Sequence, residues 1–510
     1  MARPQTITLQ PPIGGLVRRL AYQSQSPYTT PSCDNVWPDD ALASRERIGS
    51  RAGLANFSAT DIGGKVNLVA DVGYVTGGAI ATKIVVACDG TLYYHNAGSW
   101  TSTGYTTLTL DVPLTAAELF GKLYIANSNG GAIVQYTAST NAAANIVASA
   151  GTAPTNCKIV VAWRSRLVAM GDTSAPHLIY MSKVDDPTNW DYAGTTATSA
   201  WYGSGSDQGQ LMEPITAGIS HNSECLIIGC RSSLWVMRGD PRYGGRMVRL
   251  SGDIGIVDRR AWCYDTDGML WFLSHDGLYR MEAGCGSQPT CVSREFLPEE
   301  LLKTDASLYT VSMAYDLRFR GIILTVALNS GGGGTSWFID TKTTQGAVSF
   351  WPMTFNSTRQ AFYAYSLRGY ATSSADVSEV LIGCRDGVVR RFDRTSSTDA
   401  GTNFDSYIDY GPFPLGPPGE MGLLQAMQVS CGTNSADVVS AVRAGNSPQE
   451  AFDAGAFATH THITAGLNSW VYPRARGKAA VIRFSNATNS RWAMENVEIA
   501  RVAAGKSRII

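Results

Sequence analysis

The chain has 510 residues, a net charge of −1 and 16% charged residues, against roughly 25% in an ordinary globular protein. Lys and Glu, good formers of helix surfaces, supply only 22 positions, whereas Gly and Pro supply 73; this excludes a helical bundle and argues for many short strands joined by turns. The 44% apolar content excludes a disordered chain, and the near-zero charge gives no case for a dedicated, tight nucleic-acid binder.

The chain opens with MARPQTITLQPPIGG, which lacks the basic-then-apolar pattern of a signal segment. No apolar run approaches the roughly 18–20 residues that a membrane helix needs, so a soluble protein made and kept in a cytoplasm is expected. Residues 1–55 show no hydrophobic period and are rich in Pro, Ser, Arg and Asp, which predicts an extended arm that packs along other elements or reaches a neighbour.

Beyond the arm, one unit recurs: an apolar run rich in β-branched and aromatic residues, a polar turn, and a second such run. In order the units are 83–96 (KIVVACDGTLYYHN), 122–136, 166–182, 224–239, 268–282 (GMLWFLSHDGLYRME), 321–340 and 379–393. Asp-Gly at 89–90, 276–277 and 386–387, and Asn-Gly at 129–130, predict tight turns with positive φ at both central residues. The units start about 40–60 residues apart, which suits the repeat of a β-propeller. Six or seven blades over 56–395 are expected; two consecutive β-sandwiches are the competing architecture. A short helix is expected only at 293–303, SREFLPEELLK.

A Pro-rich stretch at 396–419 predicts a linker, and strand-like runs resume over 420–510, which reads as a smaller antiparallel β-sandwich. Its charge is uneven. Residues 396–473 carry one basic group, Arg443, against seven acids, and 474–510 carry eight basic groups against Glu495 and Glu498. Opposite charges facing across the sheet are the simpler reading; contact with a charged partner or DNA phosphate is the sharper one.

The search for chemistry yields little. The ten cysteines include no CxxC pair, and buried free thiols are expected in preference to a disulfide between Cys285 and Cys291. His460 and His462 are two residues apart without helpful further ligands, so an exposed loop is expected there in preference to a metal site. Gly203-Ser204-Gly205 echoes a nucleophile elbow in the wrong setting, and the glycines at 331–334 read as a hairpin tip. Asp185, Asp186, Asp253, Asp258, Asp265 and Asp267 are candidate carboxylates for a glycosidase pair, but their spacing selects no two. No enzyme activity, catalytic residue, metal or cofactor is expected.

The stretch 212–282 resembles the tail nozzle proteins of short-tailed bacteriophages, also called tail hub or packaged-DNA stabilisation proteins. The resemblance is carried by SLWVMRGDP (233–241), GDIGIVDRRA (252–261) and the GMLWFLSHDGLYR hairpin (268–280). Upstream, 163–192 is similar to the family's Arg-Leu strand followed by a Ser-Lys, Asp-Pro, Asn-Trp turn, and 32–54 is similar to its arm, with Arg-Ala-Gly-Leu where the family has an Arg-Pro-Gly-Leu-like step. The similarity is densest over 160–285.

The resemblance implies a structural virion protein, assembled in the host bacterial cytoplasm as a ring, usually of six copies. Such a ring sits below the portal and adaptor, meets tail spikes or fibres, and holds back packaged double-stranded DNA until ejection. It implies a propeller at the periphery and a β-sandwich platform near the channel. A near-neutral wall fits DNA that slides past, because each neutralised phosphate would add affinity. The alternative within the same class of organism is a propeller that binds or degrades glycans as a receptor-binding tail protein.

Overall fold

The structure, a computed structural model, describes residues 4–128, 131–282, 287–297, 299–301, 304–331, 334–341, 348–355, 361–366, 379–462, 465–488 and 490–506. Within them the protein is a seven-bladed β-propeller joined to a smaller two-sheet β-sandwich. The blades are seven four-stranded antiparallel sheets taken in chain order, with innermost strands Val66–Thr76, Ala116–Leu119, Ile159–Trp163, Ile215–Ser220, Trp262–Tyr264, Tyr309–Asp316 and Ala361–Ser366.

Each unit recognised in the sequence is the central hairpin of one blade. Lys83 and its neighbours fall in Ala79–Cys88 and Thr91–Asn96, and the unit at 268–282 forms Leu270–Ser274 and Gly277–Met281. These strands are apolar because blade faces pack on both sides: Cys225–Cys230 and Leu270–Ser274 are buried throughout. Separate apolar clusters fill the gaps between successive blades, such as Leu68, Val85 and Leu92 of blade 1 against Leu123, Val134 and Tyr136 of blade 2. The turns are less uniform than expected. Asp89 and Gly90 both have positive φ, but at 276–277 and 386–387 only the glycine does. Asp276 instead accepts from Tyr279 Oη at 2.6 Å, and Asp386 takes both terminal nitrogens of Arg390. The Asn-Gly turn at 129–130 lies outside the described residues.

The arm is built into both units. Its strands are β1 (Gln5–Leu9), β2 (Cys33–Asp34), β3 (Val36–Asp39), β4 (Glu46–Ser50) and β5 (Gly53–Asn56). β5 pairs with Val389–Asp393 and supplies the fourth strand of blade 7, so residues near the start of the chain close the propeller. Between β1 and β2 the arm runs along the outer strand of blade 6. Leu16 N donates to Phe350 O at 2.9 Å, and Gly15, at φ 75°, leaves no room for a side chain, since a Cβ there would lie 2.9 Å from the Phe350 backbone. Trp37 on β3, 1% exposed, inserts among Phe319, Phe338 and Phe392 with ring centroids 4.8, 4.6 and 5.1 Å away.

The sandwich pairs two sheets. One runs β1, Met494–Lys506, Glu420–Cys431, with Gly466–Leu467 and Ala475–Gly477 beyond; the other runs β2, Ser406–Pro414, Ala479–Asn486, Val438–Gly445, Ala458–His462. Ser406–Pro414 falls inside the segment expected to be a linker; four nearby prolines masked its strand pattern. The inner faces share one apolar cluster with blades 4 to 7, so a continuous core crosses the junction. The uneven charge includes one cross-strand pairing: Asp409 sits opposite Arg483, accepts from it at 2.7 and 2.8 Å, and also meets Arg443 at 2.7 Å.

Two local readings change. Described residues of 293–301 form turns, because Phe296 and Leu297 donate back to Ser293 without continuing. Among the described residues the α-helix is α1, Pro448–Asp453, with Ser447 Oγ accepting from Glu450 N at 3.1 Å. Among the described residues eight cysteines carry free thiols, Cys291 included, and burial pushes several up, Cys88 and Cys157 to about 12. Cys225 departs from the free-thiol reading and is disulfide-bonded. Among the described residues no helix is long and apolar enough to cross a membrane.

Candidate functional site

The inner strands surround a central channel with two lobes, of about 540 Å³ and about 570 Å³. Three side chains of blade 5 border both lobes: Arg260, Trp262 and Tyr264. Their two-residue spacing sends them to one side of an extended segment, while Cys263 between them turns into the apolar core. Arg260 is held in place by its backbone, since its carbonyl accepts from Met313 N at 2.9 Å.

The Arg260 guanidinium is crowded by aromatic rings, with its central carbon 5.8 Å from the Trp262 centroid, 5.7 Å from Tyr363 and 5.4 Å from Tyr365. Its Nε is buried and makes no hydrogen bond, and among the described residues it forms no ion pair within 4.0 Å. Tyr363 Oη donates to Leu114 O at 3.2 Å, and Tyr365 Oη donates to Asp71 Oδ1 at 2.6 Å. Burial raises both phenols, so each stays a donor.

The two lobes differ in charge. One is bordered by Asp71, Glu118 and Asp265, and among the described residues the Lys or Arg that borders it with them is Arg260. Glu118 accepts from Gly73 N at 3.0 Å, and burial raises its pKa. The other lobe is bordered by Arg259, Arg260 and His221 and, among the described residues, by no carboxylate. His221 Nδ1 lies 2.8 Å from Tyr264 Oη, and burial lowers the imidazole pKa, which favours the neutral ring. Arg259 faces the buried Asp258 at 3.6 Å. The channel thus offers carboxylate acceptors in one lobe, His221 and the Asp258-paired Arg259 in the other, and Arg260 with an aromatic wall between them.

The carboxylates considered from sequence do not assemble there as a pair. Asp185, at φ 59°, and Asp186 shape one turn, where Asp186 accepts from Thr188 Oγ1 at 2.6 Å. Asp253 and Asp267 are exposed. Asp258 serves Arg259, and Asp265 accepts from Met269 N and Trp271 Nε1. Ser204 is buried and accepts from Gln210 Nε2 at 2.9 Å, with no histidine bonded to it. Residues 332–333 of the glycine tract lie outside the described residues. His460 and His462 lie on an edge strand, not in a loop; His462 is 2% exposed and its Nε2 is 2.9 Å from Ser440 Oγ. Among the described residues no three metal-binding side chains cluster. The channel groups were missed from sequence because the inner strand of blade 5 is three residues long and its alternation of Arg, Trp and Tyr carries no motif.

No protein-family model and no curated protein matches the chain. Among solved structures, the extracellular domain of a hybrid two-component system from B. thetaiotaomicron is similar at 11% identity and a TM-score of 0.40, covering 76% of this chain and 45% of that one. Virginiamycin B lyase from Staphylococcus aureus is similar at 9% identity and a TM-score of 0.40, covering 67% of this chain and 98% of that one. The chain therefore spans a little under half the length of the first of these.

Proposed function

We propose that the protein is a structural component of a bacteriophage tail: one subunit of a ring, of six copies, that continues the DNA channel below portal and adaptor. Such a ring retains packaged DNA and carries spikes or fibres at its periphery. The observation that carries the reading is the arm. It adds strands to both sandwich sheets, wedges Trp37 against blades 6 and 7, and closes blade 7. A body tied in this way transmits load between its two units without hinging, which a pressurised channel requires.

Two features support assembly. β1, with sequence QTITL, lies at the outer edge of its sheet and bears no charge, and Ala458–His462 is the outer edge of the other sheet. Monomeric proteins usually guard such edges with Lys or Pro, since unpaired backbone groups template strand addition. Two different edges on one subunit suit head-to-tail contacts that close into a ring. The propeller's own channel is far too small for a DNA duplex, so the DNA passage in this reading lies on the ring axis, between subunits.

The test is composition of the particle. Purified phage particles should contain the protein at ring stoichiometry relative to portal, and antibody should label the tail below the head. Particles that lack it would overturn the proposal.

A further inference from the structure

We propose that the propeller channel is a binding site for an acidic saccharide, its carboxylate on Arg260 and its sugar ring against Trp262 and Tyr264. The lobes lie within the usual size range of small-ligand sites, about 300–1,000 Å³. Their chemistry narrows the ligand. Arg260 presents a planar fork of donors that matches a carboxylate in bidentate fashion, and the surrounding rings stabilise its charge while Tyr363 also engages it through a side-chain hydrogen bond. A guanidinium with a buried, unbonded Nε and no ion pair among the described residues is an anchor awaiting an anion.

The asymmetry of the lobes orients that anion. Arg259 is already paired with Asp258. Arg260 borders both lobes, and an anion on it is favoured toward the lobe that no carboxylate among the described residues borders and repelled from Asp71 and Glu118 in the other. Those two acids accept hydrogen bonds, so the other end of the ligand must donate them, as sugar hydroxyls do. Between the ends, Trp262 and Tyr264 are partly exposed and offer flat apolar faces to the C–H side of a pyranose. A phosphate dianion suits the site less well, because a second negative charge would face the acidic lobe. The site is internal to one subunit and does not depend on ring assembly.

Calorimetry on the full chain with sodium glucuronate, D-glucose, sodium acetate and inorganic phosphate tests the proposal. Glucuronate is expected to bind about tenfold or more tighter than each of the others. Arg260→Gln should bring glucuronate down to the level of glucose, whereas Trp262→Leu should weaken both sugars and leave acetate unchanged. Saturation-transfer NMR on the unmodified chain should place the strongest transfer on the pyranose C–H protons. No binding of glucuronate at millimolar concentration, glucose binding as well as glucuronate, or acetate or phosphate binding as well as glucuronate would each overturn it.

Discussion

Arg51 is the place where the arm can be cut energetically from the rest of the molecule. Its side chain is fully buried, donates through both terminal nitrogens to Asp399 at 2.8 and 2.6 Å, and donates through Nε to Asn35 Oδ1 at 2.7 Å. Its guanidinium also stacks over Phe404 at 3.9 Å and Phe355 at 4.8 Å. One residue therefore joins the arm, the end of blade 7 and the outer part of blade 6. Arg51→Ala removes from the buried Asp399, 1% exposed, the two guanidinium hydrogen bonds it accepts here. Removing one partner of a buried pair costs about 3–5 kcal/mol, which raises the open population of the arm by roughly a hundred- to several-thousand-fold. Replacing both partners by apolar residues, Arg51→Met with Asp399→Leu, should recover most of that loss, since the carboxylate is then gone as well. Two assays read the effect: urea unfolding followed by tryptophan fluorescence, and limited proteolysis, which reports opening of residues 20–45 before global unfolding. A loss below about 1 kcal/mol for Arg51→Ala, with unchanged cleavage of the arm, would refute the reasoning that this pair is the clasp.

Three further outcomes are expected. Burial raises Asp34 on β2 to about 6 from 3.8, so the folded arm holds this proton more tightly; its contribution is full below pH 3.8 and is lost as pH rises through about 6. Arm proteolysis should accordingly increase between about pH 4 and pH 6.5 by a step that Asp34→Asn abolishes. Burial, with His460 nearby, lowers His462 to about 4 from 6.5, so its contribution is full above pH 6.5 and is lost as pH falls through about 4; thermal unfolding should show this acid limb, reduced in His462→Gln. Thr6→Lys with Thr8→Lys places two charges on the β1 edge and, if the proposed ring forms through it, should shift sedimentation toward monomer without altering the circular dichroism.

The propeller was legible because its middle strands are buried on both faces and therefore read as continuous apolar runs. All seven runs found in the sequence are second and third strands of blades, as at Gly321–Leu328 and Gly334–Asp340. The first strands were not legible: they border a polar channel, and segments such as Trp262–Tyr264 are too short to show a period. The closing strand β5 was invisible for a different reason, since its partner lies more than 300 residues away and nothing local marks it. The helix α1 did carry its signal, Ser-Pro-Gln-Glu, a cap followed by Pro and an acid three residues on. The channel site has no sequence signature because Asp71, Glu118, His221, Arg260 and Tyr365 come from five different blades.

The ring is tested most directly by native mass spectrometry of the intact protein, followed by electron microscopy of the main species. The account predicts a closed assembly whose mass is six times 54.6 kDa, with the sandwiches toward the axis and the propellers outside. A single species of 54.6 kDa that persists at tens of micromolar and in the presence of the portal–adaptor assembly would contradict it.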